Sequence, residues 1–301
     1  MLSMIFVTLT QSAASAKRVA EIIEEEPDIV NPEKPVYEIT DGSVEFRGVR
    51  FDYVRTTPGK SRRSALYNVS FQIESGETIG VIGGTGSGKS SLVNLISRLY
   101  DVTQGEVMVG GRNVKEYDLT ALRNNVSVVL QNNILFSGSI LDNLRWGNRE
   151  ATEEDCRKAC HLACADEFIE QMPEGYNTYI EQGGTNVSGG QKQRLCIARA
   201  LLKQPKILVL DDSTSACDTE TDEKIRKAIH NQLPEMTKII IAQRISSVER
   251  CDRIIVMDNG IVTGFDTHEN LLKTNQLYQE INAIQKADKG DFDELPKGGA
   301  A

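Results

Sequence analysis

Apolar positions along this chain change their period several times. In the first 25 residues Leu2, Ile5, Phe6, Leu9, Ala13, Ala16, Ala20 and Ile23 recur every three or four positions, which predicts one amphipathic helix. Glu24-Glu25-Glu26-Pro27 ends it, because proline cannot continue a helix interior. Pro27, Pro32 and Pro35 mark a linker. From Ser43 the period falls to two, in Val44-Glu45-Phe46, Val49-Arg50-Phe51-Asp52-Tyr53 and Val69-Ser70-Phe71-Gln72-Ile73, the signature of half-buried antiparallel strands. Thr78-Ile79-Gly80-Val81-Ile82 is continuously apolar and reads as a buried strand; Ser91 to Ile96 opens a helix. A hairpin-like segment surrounds Gly105 to Gly111, and residues 133–180 read mostly helical.

Three further apolar runs follow: Ile207-Leu208-Val209-Leu210, Ile239-Ile240-Ile241-Ala242 and Ile254-Ile255-Val256-Met257. Helical patterns separate the first two, so they fit parallel core strands. The expected organisation is a helix over 1–26, a linker over 27–42 and a globular α/β domain over 43–287. Within that domain an antiparallel β-subdomain is expected over about 43–78 and a helical subdomain over about 133–190. The tail, 288–301, is expected to be disordered or a cloning remnant.

Composition changes this picture little. With 301 residues, 40% hydrophobic and 26% charged, the chain can bury an ample core. A net charge of −9 argues against nucleic acid as a main partner. Arg55, Lys60, Arg62 and Arg63 cluster in a Pro-Gly loop, best read as a solvated turn. The six cysteines form no C-x-x-C pair, so neither a zinc ribbon nor a redox pair is suggested. Cys156, Cys160 and Cys164 recur every four residues beside His161, but alternating alanines favour a packed helix face over a metal site. A reducing cytosol fits. No apolar run approaches the roughly 18–20 residues of a membrane helix, and no basic-then-apolar signal opens the chain.

The chemistry lies in three segments. Gly83-Gly84-Thr85-Gly86-Ser87-Gly88-Lys89-Ser90 fits G-x-x-x-x-G-K-[ST] between a strand and a helix. Such a turn aims backbone N–H groups and a helix N-terminus at one point and attracts phosphate. Lys89 then reaches the β- and γ-phosphates and the Ser90 hydroxyl ligates Mg²⁺, with Ser91 next to it. Asp211-Asp212 follows four apolar residues, at the strand end where open α/β sheets bind ligands; there Asp211 is placed to bind Mg²⁺ beside Ser90. Ser188-Gly189-Gly190-Gln191 precedes a helical stretch and forms a second anion-seeking helix start.

Together these segments resemble the nucleotide-binding domain of an ABC exporter, over nearly the whole chain to about Gln285. The resemblance makes Tyr53 the aromatic that stacks on adenine, Gly83 to Ser90 the Walker A loop and Gln131 the Q-loop glutamine. It makes Ser188 to Gln191 the ABC signature, with Val187 where leucine is usual, and Ile207 to Asp211 Walker B. Ser215-Ala216-Cys217-Asp218 becomes the D-loop, again with Cys217 in place of a leucine. Phe136-Ser137-Gly138-Ser139-Ile140 and Glu181-Gln182-Gly183-Gly184 look like exporter-type segments. ATP and Mg²⁺ are the implied cofactors, and Gln131 is implied to sense γ-phosphate through the metal. The fold implied is a RecA-like P-loop NTPase core with an antiparallel β-subdomain and an inserted helical subdomain. The opening helix is implied to continue from a missing transmembrane domain, which places the chain at the cytoplasmic face of the cell membrane.

Two positions depart from the pattern. Asp212 stands where a glutamate usually polarises the attacking water, and Gln243 where a switch histidine is usual. A carboxylate one methylene shorter sits back by roughly 1.5 Å, and misplacements near 1 Å can cost about a hundredfold in rate. Glutamine cannot carry an imidazolium's charge toward developing phosphate charge. The family binds ATP between two domains, each site pairing one subunit's Walker motifs with the other's signature. The expectation is therefore a heterodimer subunit whose own site binds ATP but hydrolyses it slowly, and whose signature completes an active site on a partner that carries glutamate and histidine. A homodimeric slow ATPase and a soluble, non-transport ATPase of the same family remain the alternatives.

Overall fold

In the computed structural model, which describes residues 2–53, 64–211 and 219–288, the opening stripe forms α1 (Leu2–Ile23). It belongs to a unit of its own, residues 1–30. Its apolar side chains, among them Ile5, Phe6 and Leu9, are exposed. The remaining unit begins at Asn31, and the second half of the expected linker is ordered against it. Asn31 hydrogen-bonds Asp118 and the Leu119 amide, Val36 bridges to Tyr117, and Ile39 is buried. Prolines stiffen this stretch, but the buried Ile39 makes it part of the core.

The period-two stretch from Val44 becomes a single strand, β1 (Val44–Phe51), where two were expected. Gly48 joins the halves with φ +57, and the register to the next strand shifts between Phe46 and Val49. A bulge of this kind keeps one strand running while re-aiming its side chains. β2 (Leu66–Ile73) pairs with it antiparallel, while β3 (Thr78–Gly83) passes into a second sheet and leads to α2 (Lys89–Ile96). β4 (Gln104–Val109) and β5 (Arg112–Asn113) return to complete the first sheet, in the order β2-β1-β4-β5. The antiparallel layer thus draws in the 105–111 hairpin, which lies beyond the 43–78 span expected for it. Its strands are short-range in pairing but not in sequence.

After α3 (Leu119–Asn125), β6 (Val126–Val129) enters the second sheet. The helical stretch follows: α4 (Ile140–Arg145), α5 (Glu153–Leu162) and α6 (Asp166–Ile169), framed by a two-stranded pair of β7 (Gly138–Ser139) and β8 (Tyr179–Ile180) that the apolar pattern does not reveal. α7 (Gly189–Leu201) closes this layer. Side chains start these helices: Ser139, Thr152 and Ser188 each form a reciprocal capping box with the residue three positions on. Cys156, Ala159 and Cys160 are buried together on α5, the packed face expected of them, while Cys164 lies beyond the helix end with φ +51 and is half-buried.

β9 (Ile207–Asp211), α8 (Thr219–Gln232), β10 (Thr237–Ile241), β11 (Arg253–Asp258) and β12 (Ile261–Asp266) finish the second sheet, ordered β12-β11-β3-β10-β9-β6. All its pairings are parallel except β11 with β12. Both faces are buried, which explains the unbroken apolar runs. Val81, Val209, Ile239, Ile241 and Ile255 face one hydrophobic cluster shared with the antiparallel layer. Leu208, Leu210, Ile240 and Val256 face a second, shared with the helical layer. α9 (His268–Thr274) and α10 (Gln276–Asp288) end the described chain. The basic loop residues Arg55 to Arg63, the segment from Asp212 to Asp218 and the tail from residue 289 lie outside the described residues.

Candidate functional site

Parallel pairing fixes where the candidate residues fall. Asp211 ends β9 opposite Ile241 of β10, and Ile241 lies opposite Val81 of β3. Gly83 and Gln243 each follow that row by two residues, and Gln131 follows Val129, which is paired with Leu210 on the same edge. Four segments far apart in sequence therefore reach one carboxyl edge, where such sheets bind ligands.

The loop from Gly83 to Ser90 turns on Gly88, whose φ of +105 and ψ of 3 are left-handed. A Cβ there would lie 2.8 Å from the Ala65 carbonyl oxygen, so close packing as well as conformation demands glycine. Gly88 is also the N-cap of α2, and no side chain caps that helix. By contrast Asp118, Ser139, Thr152, Ser188 and Thr267 cap α3, α4, α5, α7 and α9. An uncapped helix start beside a turn of glycines fits an anion. Ser90 and Thr85 are exposed at its mouth, while Ser87 is buried and its backbone carbonyl accepts from Gly260 N at 2.9 Å.

Lys89 folds over the loop, its ammonium donating to the Gly83 and Gly84 carbonyls at 2.7 and 2.9 Å. That places a cation at the turn's centre. Burial pushes the Asp211 carboxyl above the ordinary range, and the charge of Lys89 pulls the other way. A metal ion here would remove that penalty by pairing with the carboxylate, and Ser90 and Asp211 offer the hard oxygen donors that Mg²⁺ takes.

Tyr53 stands on the flank of this loop. Its hydroxyl lies 3.0 Å from Ser91 Oγ in the first turn of α2, and its ring meets Phe51 and Tyr100 edge-on at 4.6 and 5.1 Å. Tyr100 did not stand out in the sequence, because no periodicity marks a residue at a helix exit. Gln131 is exposed. Gln243 is half-buried, and Gln285 of α10 holds its carbonyl at 2.8 Å, a partner no local pattern discloses. Asp212 lies outside the described residues.

Ser188 to Gln191 are not at this edge; they begin α7. Ser188 Oγ accepts from the Gln191 amide at 3.2 Å, while the Gln191 side chain accepts from the Ser188 amide at 2.9 Å. Ser188 and Gly189 are exposed. Farther along α7, Arg194 stacks its guanidinium 4.7 Å over Phe168 and donates to the Cys164 carbonyl at 2.8 Å, which fixes the helix to its layer.

Known proteins share this fold. Residues 66–215 match the model of the ABC transporter family. The chain is 39% identical over 301 residues to the ABC transporter ATP-binding protein MG014 homolog of Mycoplasma pneumoniae, covering 97% of this chain and 48% of the relative. It is 40% identical over 284 residues to Bacillus subtilis YgaD, named for multidrug export as an ATP-binding/permease protein, covering 92% and 47%. Among solved structures, a bacterial Atm1-family ABC exporter with ATP bound superposes with TM-score 0.86 at 32% identity, over 96% of this chain and 50% of that one. The chain thus spans about half the length of these relatives.

Proposed function

Because this chain belongs to the ABC transporter family and carries its nucleotide-binding fold, we propose that it is the ATP-binding half of an exporter subunit, with a weak site of its own and a signature that serves a partner. Domains of this family bind ATP, generally with Mg²⁺. Here Gly83 to Ser90 would cradle the phosphates, Ser91 would sit beside them, and Tyr53 would stack on adenine. Ser90, Gln131 and Asp211 would hold the metal. The gathering of Lys89, Asp211, Gln131 and Gln243 at one sheet edge carries this reading.

Binding and cleavage make different demands. Binding needs charge neutralisation and backbone donors, and Lys89 with the uncapped start of α2 supplies both. Cleavage needs an aligned water and a donor for the developing charge. Asp212 and Gln243 stand at those two positions with a shorter carboxylate and an uncharged amide. The proposed consequence is a site that retains ATP and turns it over slowly.

Ser188, Gly189, Gly190 and Gln191 keep the signature intact on an exposed, capped helix start. Nothing about their local geometry is damaged, so they suit a second nucleotide-binding domain that carries the missing glutamate and histidine. A membrane domain is the other partner. Leu130, Ile134, Phe136 and Trp146 expose large apolar side chains, and the rings of Phe136 and Trp146 lie 4.9 Å apart, tilted by 35°. Such apolar side chains suit transmission of closure to membrane-spanning segments. The domain division follows: 1–26 leading from a transmembrane domain, 27–42 connecting, 43–287 the ATPase, 288–301 a tail. Export across the membrane, at its cytoplasmic face, is the activity this arrangement would drive.

The test mixes the chain with an exporter half that carries the glutamate and the histidine, and measures ATP turnover. Ser188→Arg in this chain should abolish most of the mixture's activity while leaving its own ATP binding intact. Turnover unaffected by Ser188→Arg would contradict service to a partner.

A further inference from the structure

One buried charge has no part in the nucleotide site. Lys238 lies on β10 with 4% of its surface exposed, and its ammonium has no hydrogen-bond partner among the described residues. It lines a cavity of about 230 Å³ between α8 and β10, walled by Leu210, Ile229 and Ile240. The cavity reaches Thr78 and Lys238, near the amino ends of β3 and β10. The phosphate loop and Asp211 lie at the carboxyl ends of their strands.

A lone ammonium in such a place is costly. Removing an ion from water costs several kcal/mol unless a counter-ion or hydrogen bonds compensate. Shedding the proton still leaves an amine whose hydrogens are unbonded. Asp252 exerts attraction on Lys238 but makes no ion pair with it, and its carboxylate accepts from the Thr78 amide at 2.7 Å. The other charged walls are already paired: Arg226 with Asp222, and Lys227 and Arg250 both with Glu223, which leaves Lys238 as the wall cation with no ion pair among the described residues.

We propose that this cavity binds a small organic carboxylate, its anionic head on Lys238 and its apolar body against Leu210, Ile229 and Ile240. The head supplies the counter-ion and the acceptor that the ammonium lacks. The body suits the walls in size: a cavity near 150 Å³ already holds a benzene ring. Arg226 donates to the Ser247 carbonyl in the turn after Gln243, so an occupant touches both α8 and that turn. The site does not depend on the reading of the nucleotide loop.

Benzoate is the probe, with benzyl alcohol as its uncharged counterpart, and binding to the full chain is followed by calorimetry and by ligand-observed NMR. Benzoate should bind saturably with Kd on the order of 1 mM, and benzyl alcohol at least tenfold more weakly, the value of one charge-assisted contact. Lys238→Met should lose benzoate by a similar factor while keeping ATP affinity, which shows the fold intact. Equal binding of the two probes by the unmodified chain, equal benzoate binding by Lys238→Met, or no saturable benzoate binding at all would each overturn the site. The comparison of probes needs no variant, so it stands even if Lys238→Met fails to fold.

Discussion

Gln285 holds the backbone at Gln243 like an added strand. Its Nε2 donates to the Gln243 carbonyl at 2.8 Å, and its Oε1 accepts from the Ile245 amide at 2.8 Å. One side chain near the end of α10 thus ties Gln243 to the turn that follows it. The backbone there is held, so the side chain at position 243 acts from a fixed base.

Gln285→Ala should release both bonds. Each is worth about 1 kcal/mol net, so hydrogen exchange at the Ile245 amide should speed up by about tenfold or more, with ATP affinity unchanged. Unchanged protection at Ile245 would show that other contacts hold the segment.

Tyr53 is proposed to stack on adenine, and its hydroxyl lies 3.0 Å from Ser91 Oγ. Base stacking on an aromatic is worth roughly 1–3 kcal/mol, so Tyr53→Ala should weaken ATP binding about tenfold. Tyr53→Phe keeps the ring and should bind nearly as the unmodified chain does. Fluorescent-nucleotide titration separates the two; equal losses would move the ring out of the adenine site.

The Ser188–Gln191 capping box gives the signature a structural cost of its own. Ser188→Ala removes a cap worth about 1 kcal/mol, which should lower the melting temperature by about 2–4 °C. A larger fall would mean that Ser188 supports more of the helical layer than its exposure suggests.

Lys238 also carries a pH dependence. Burial holds its ammonium below the ordinary value of 10.5, so over the window between the two values the unfolded chain binds more protons than the folded one. Stability should therefore rise as pH climbs through the lowered value toward 10.5. Urea midpoints at about pH 8 and about pH 10 should differ by less in Lys238→Met than in the unmodified chain, and the variant should be the more stable of the two at the lower pH.

Much of this was legible in the residues. Continuous apolar runs gave away β3, β9, β10 and β11 because a sheet covered on both faces leaves no polar positions to interrupt them. Gly88 and Lys89 declared the loop because only glycine fits the left-handed turn beside Ala65. What escaped was non-local. The hairpin at Gly105 joins β1 through pairing more than fifty residues away. Gln285 reaches Gln243 across 42 positions, and Tyr100 meets Tyr53 only after folding. Ile39 reads as linker until the core receives it.

The proposed exporter subunit joins a sound cradle for ATP to weakened chemistry at Asp212 and Gln243. Steady-state ATP hydrolysis by the purified chain, compared with its Asp212→Glu, Gln243→His double variant, tests it most directly. The account predicts slow turnover by the unmodified chain and a rise of about a hundredfold in the variant, the scale that a displacement near 1 Å commands. Brisk hydrolysis by the unmodified chain, with no gain from restoring both side chains, would contradict it.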